Sequence, residues 1–270
     1  MGSGAALRLI RLPAMTQSDP DTDREQTFLE HLIELRSRLL KASVSVLVVL
    51  LLLLPFSQQL YSLLAKPLTS RLPEGSNMIA IDVASPFLTP FKLSLLLALI
   101  LSIPIVLYQA WAFVAPALYR HERRLARPLL YSSVLLFYTG CAFAYFVVFP
   151  VIFGFFTSVA PEGVTVMTDI SKYLDFVITL FIAFGIAFEV PIATIILVAT
   201  GITTVKQLAA ARGYVVVAAF AIGMLLTPPD VFSQTFLAIP MWLLFESGLL
   251  MARILLPAAE ESPESDQASS

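Results

Sequence analysis

Residues 129–150 read LLYSSVLLFYTGCAFAYFVVFP, and they sit inside a longer stretch, 128–161, that contains no charged residue. Twenty-two apolar and small residues in a row, wound as a helix, are long enough to cross a hydrocarbon core of roughly 30 Å. The remainder of the chain repeats the pattern. Of its 270 residues 58% are hydrophobic and only 13% charged, and the mean hydropathy is +0.85. A soluble domain of this length needs more polar surface than that, so the solvent is a bilayer.

Five further apolar runs flank this one. An amphipathic helix is expected from Phe28 to Leu40, with Phe28, Leu32, Leu35 and Leu39 on one face and Glu34 paired to Arg38 at i,i+4. It leads into a first span at about 41–60. Across 61–91, Pro67, Pro73, Gly75, Pro86 and Pro90 are read as helix breakers in a structured cap on the membrane surface. The second span is expected at 92–114, the third at 129–150, and the fourth at 175–200. Between the third and fourth, 151–174 reads as a loop whose Phe153, Phe155 and Phe156 suit an interface. The fifth (214–227) and sixth (231–251) spans are joined by the turn Thr227-Pro228-Pro229-Asp230. Both are short, which implies local bilayer thinning or burial in the bundle.

The expected class is therefore an all-α membrane protein with six transmembrane helices. Residues 1–27 and the acidic stretch 254–270 read as disordered flanks of a membrane domain at 28–253. The first 14 residues lack the apolar core of a secretory signal peptide. Six spans put Lys66, Arg71, Lys92 and Lys172 on one side and the other thirteen of the 17 Lys and Arg on the opposite side. That asymmetry assigns both termini to the cytoplasm of a bacterial inner membrane. No internal repeat of the kind found in many secondary transporters is evident.

Few residues carry chemistry. Cys141 is the one cysteine, and His31 and His121 lie far apart, so neither a disulfide nor a metal site is expected. His121-Glu122-Arg123-Arg124-Leu125 lacks the second histidine of a zinc-protease motif. There is no GxxxxGK[ST] or GxSxG sequence. No enzyme, cofactor or nucleic-acid partner is expected. Glu189 is the sharpest signal, because a carboxylate at mid-membrane costs about 3 kcal/mol and faces the bundle interior or a wet cavity. It is either a hydrogen-bonded structural group or a polar floor for a partner helix. Glu246, near the end of the sixth span, reads as structural. Glu34 and Glu122, surrounded by arginines on one membrane face, are either ordinary salt bridges or receptors for guanidinium groups.

Five blocks together resemble the TatC family: HLIELRSRLL (31–40), SPFLTPFKLSL (85–95), IPIVLYQAWAFVAPALYRHERR (103–124), FGIAFEVP (184–191) and LLTPPDVFSQTFLAIP (225–240). The similarity runs from about Phe28 to Arg253. It implies a cup-like six-helix bundle that binds twin-arginine signal peptides together with TatB. It also implies that TatA is then recruited and folded proteins cross on the proton-motive force, in a homo-oligomeric receptor complex. By the same resemblance Glu34, Arg36, Phe113 and Glu122 bind the signal peptide, and Glu189 is an intramembrane polar site on the concave side. Met224, Leu225, Thr227 and Gln234 match the surface where single-span partners dock, and Pro67 and Asp230 match functional positions of the outer loops. The alternative from another class is a proton-coupled secondary transporter of a small solute with Glu189 as the coupling carboxylate.

Overall fold

A computed structural model describes residues 20–69, 79–114, 126–158, 167–226 and 231–256. Within them the chain forms ten α-helices: α1 (Pro20–Leu53), α2 (Ser57–Thr69), α3 (Ser85–Val114), α4 (Ala126–Phe143), α5 (Phe149–Ser158), α6 (Ile170–Ala187), α7 (Val190–Ala199), α8 (Val205–Ala210), α9 (Arg212–Leu226) and α10 (Val231–Leu255). Several are halves of one crossing. Five continuous stretches are long and apolar enough to span a membrane: Leu32–Ala65, Ser85–Phe113, Arg127–Phe155, Ile170–Ala199 and Val231–Leu255. The short apolar helix α9 is the sixth. At 1.5 Å per residue its 15 residues reach only about 22 Å, well short of a hydrocarbon core.

Each break inside a crossing has a local cause. Pro55 opens a single 3-10 turn, Leu54–Phe56, between α1 and α2. Pro150 follows a π-turn, Ala144–Val148, between α4 and α5. In a regular helix its ring would meet the carbonyl of Phe146, and the wider turn relieves that clash. The fourth crossing is interrupted at Phe188–Glu189, where Pro191 occupies the first turn of α7. After α7, Gly201 takes the left-handed conformation (φ 72°), and Thr204 and Gln207 form a capping box that starts α8.

Helices pack mainly as α1 on α3, α4 on α6, and α7 and α9 on α10. The largest fully buried side chains include Phe149, Phe184, Leu180, Leu174 and Ile195. Aromatic edge-to-face contacts, such as Phe149 with Phe181 at 5.3 Å between centroids, fill the space between α5 and α6. Glycines set the closest crossings. A Cβ on Gly140 would lie 2.5 Å from the Phe184 carbonyl oxygen, and one on Gly248 would lie 2.8 Å from Pro191 Cα. Leu39, Val44, Leu51 and Leu52 of α1 are all exposed, as lipid-facing residues of a crossing are expected to be.

The structure departs from the sequence reading in four places. The first helix begins at Pro20, eight residues ahead of the expected start and inside the stretch read as disordered. Pro67 lies within α2, although read as a helix breaker. Pro86 and Pro90 belong to α3, which begins at Ser85; Pro86 falls in the first helical turn, where its missing N–H has no intrahelical partner to lose, while Pro90 sits inside the helix. Residues 151–158 continue the third crossing as helix, so Phe153 is a buried core residue packed on Tyr173 and Phe176.

The glycine contacts give a direct test. Gly140→Val should lower the thermal unfolding temperature in detergent by the equivalent of about 1–3 kcal/mol, because the obstacle is backbone. Gly213→Ala should leave stability unchanged or slightly higher, since nothing lies within 4 Å of a Cβ there.

Candidate functional site

Two polar regions stand out in the apolar bundle. The first lies where α1 enters the membrane. Glu34 and Arg38 are one helical turn apart, and both Nε and Nη2 of Arg38 donate to Glu34 Oε1, Nε at 2.9 Å. The Glu34 side chain keeps 39% of its surface exposed against 23% for Arg38. Ile33, Glu34, Ser37, Arg38 and Lys41 border an open depression of about 410 Å³. Arg36 points outward and is exposed. Phe113 is half-buried in the last turn of α3, two residues after Trp111, which packs into the core formed with Ile195, Val198 and Phe245. Glu122 lies outside the described residues, so its distance from Glu34 is not part of this geometry.

The second region is the α6–α7 break. Glu189 occupies the N-cap position of α7 without capping it through its side chain. Its carboxylate crosses instead to α4, where the buried hydroxyl of Ser133 donates to Oε2 at 2.5 Å. The other oxygen, Oε1, is buried and has no hydrogen-bond partner among the described residues. A buried, half-satisfied carboxylate is costly unless something else supplies a donor. Ser133 was not singled out by sequence, since nothing distinguishes it from Ser132 without knowing which face of α4 meets α6.

Beside this break, α6, α7, α9 and α10 enclose an open apolar groove of about 630 Å³, with Ile182, Ile186, Val190, Ile222, Leu226 and Met241 along its walls. Glu189 is not among its lining residues, because its carboxylate faces α4. Met224 and Leu225 are exposed at the end of α9 beside the groove, Leu225 at 84%. Gln234 on α10 is partly buried and meets α9 at Gly223, where a Cβ would lie 3.4 Å from the Gln234 carbonyl oxygen. Thr227 and Asp230 lie outside the described residues, as does the side chain of Pro67. At the other end of α9, Arg212 forms a bidentate pair with Glu246 (Nε–Oε1 2.6 Å, Nη2–Oε2 3.0 Å). That pairing ties α9 to α10 and suits the structural reading of Glu246.

A double-mutant cycle tests the Ser133–Glu189 contact. Ser133→Ala and Glu189→Gln, measured singly and together by reversible unfolding in mixed micelles, should show a coupling of about 0.6 to 1.7 kcal/mol. Additive effects would show that the two groups do not bond.

The family model described as "TatC: Sec-independent protein translocase protein (TatC)" matches residues 30–240. The chain is 58% identical over 248 residues to the Sec-independent protein translocase protein TatC of Azotobacter chroococcum, covering 90% of this chain and 97% of that one. It is 60% identical over 228 residues to the protein of the same name from Escherichia coli K12, covering 84% and 88%. Among solved structures, the crystal structure of the twin-arginine translocase receptor TatC in DDM superposes with a TM-score of 0.75 at 38% identity, over 82% of this chain and 99% of the other. With motif blocks, helical architecture and near full-length relatives in agreement, the chain belongs to the TatC family and is an inner-membrane subunit of the twin-arginine protein translocase.

Proposed function

We propose that this protein is the receptor that binds twin-arginine signal peptides, with Glu34 and Glu122 each taking one arginine of the motif and Arg36 and Phe113 bordering the site. The observation that carries the reading is the state of Glu34. At the point where α1 meets the membrane, a half-exposed carboxylate already holds a guanidinium, that of Arg38. An incoming arginine would exchange with Arg38 for the same carboxylate, so the charge-assisted hydrogen bonds lost are replaced in kind. A lysine offers a point charge without the planar fork and is the poorer competitor.

In this reading the apolar part of the signal peptide lies along the bundle. TatB shares the receptor site, and TatA is recruited as the proton-motive force drives folded cargo across. Met224, Leu225, Thr227 and Gln234 form the docking surface for these single-span partners. Exposed Met224 and Leu225 beside the apolar groove support that assignment. Glu189 offers Oε1, which has no partner among the described residues, to a polar group of a partner helix, with Pro67 and Asp230 acting at the opposite membrane face. Receptor units assemble as homo-oligomers.

Site-specific crosslinking tests the receptor role. A twin-arginine peptide carrying photo-probes beside its arginines should form adducts in segments 28–40 and 113–124 of the membrane-embedded protein with partner subunits present. The adducts should disappear with Glu34→Ala plus Glu122→Ala, or with a Lys-Lys peptide. No adduct with the wild-type protein would overturn the receptor reading and favour a small-solute transporter.

A further inference from the structure

The chain enters α3 from a segment at 79–84 and enters α6 from a segment at 167–169, both at the end of the bundle opposite Glu34. The two segments meet in a parallel bridge. Ile79 N donates to the Thr168 carbonyl at 3.0 Å, and Ile170 N donates to the Ile79 carbonyl at 2.9 Å. Asp169 sits at the centre of this contact, and its two oxygens have different partners. Oδ1 accepts from Ser171 N and Ser171 Oγ, both at 2.6 Å, and from Lys172 N at 3.3 Å. These bonds cap α6. Oδ2 accepts from Ile81 N at 3.3 Å, a residue 88 positions earlier in the chain.

Packing does not hold the 79–84 segment in place. Ile81 is 74% exposed and Val83 98%, so neither side chain buries enough apolar surface to fix the loop. Polar ties do the holding. Beyond the bridge and Asp169, the hydroxyls of Ser85 and Ser171 lie 3.2 Å apart, and Lys92 Nζ donates to Asp175 Oδ1 at 2.8 Å. A helix cap requires one acceptor oxygen, and the second oxygen of Asp169 is spent on the loop.

We propose that Asp169 is a positioning residue, a clamp whose Oδ1 caps α6 while its Oδ2 fixes the 79–84 loop, so that α3 and α6 keep one relation at this end of the bundle. The hydrogen bonds from Ser171, first its hydroxyl and then its amide, hold the Asp169 carboxyl below the usual carboxylate range. The clamp therefore stays charged at neutral pH.

Because the two oxygens do separate jobs, cap-retaining substitutions isolate the second one. Asp169→Ser keeps a good helix cap but cannot reach Ile81, and Asp169→Asn keeps one acceptor in place of two. Hydrogen–deuterium exchange of the full chain in nanodiscs should show protected amides at Ile79 and Ile81 in the wild type. In Asp169→Ser those amides should exchange about tenfold faster while those at 173–177 remain protected, with Asp169→Asn losing protection in one segment only. The clamp would be overturned by unprotected Ile79 and Ile81 amides in the wild type, by wild-type protection there in Asp169→Ser, or by equal loss from loop and helix in both variants.

Discussion

Hydrocarbon offers no hydrogen-bond partner to a peptide group, and the whole structure follows from that one constraint. Every N–H and C=O within the membrane must be satisfied by the chain itself, so the crossings are helical and irregular backbone is allowed only where something compensates. Each interruption obeys this. A 3-10 turn contains Pro55, a π-turn precedes Pro150, and a two-residue break at Phe188–Glu189 is followed at once by Pro191 at the start of α7. The last of these brings an ionisable side chain to the middle of a crossing, where Ser133 serves one oxygen of Glu189 and no described residue serves the other.

The same constraint sorts the remaining polar groups. The ion pairs among the described residues are Glu34–Arg38, near the start of the apolar stretch Leu32–Ala65, Lys92–Asp175, in the first halves of α3 and α6, and Arg212–Glu246, where Arg212 begins α9. Between them the bundle is held by close packing, with glycines at the α4–α6 and α7–α10 crossings and aromatic side chains between α5 and α6. With apolar solvent on the outside, burying leucine contributes little, and tight van der Waals contact with interhelical hydrogen bonds contributes more. One end of the bundle is fixed by loop-to-helix bonds around Asp169. The other carries the accessible carboxylate of Glu34, and between them lies the break at Glu189.

Much of this was legible in the sequence because hydrophobic runs and their lengths report directly on crossings. The six spans, the brevity of α9 and the prominence of Glu189 all came from that signal. The prolines misled where their effect depends on position: Pro86 begins a helix and Pro90 sits inside one, which composition cannot distinguish from a loop. Phe153 read as interfacial because an apolar run does not reveal which residues meet protein and which meet lipid. Ser133 and Asp169 were invisible for a different reason. Their importance lies in partners 56 and 88 positions away, and no local pattern encodes such pairings. Arg38 was visible as a partner of Glu34, but the sharing of a single carboxylate oxygen by two of its nitrogens was not.

On the proposed receptor reading, a signal peptide would be sorted at the membrane face by the geometry of its cations, and Glu34 would discriminate through the planar guanidinium it takes; in the structure it pairs with that of Arg38. The most direct test is the equilibrium affinity of fluorescent twin-arginine and Lys-Lys peptides for the protein in nanodiscs, in wild type and Glu34→Gln. The account predicts that the wild type prefers the arginine peptide by about tenfold or more, the scale of one charge-assisted hydrogen bond, and that Glu34→Gln removes most of that preference. An undiminished preference in Glu34→Gln would contradict it.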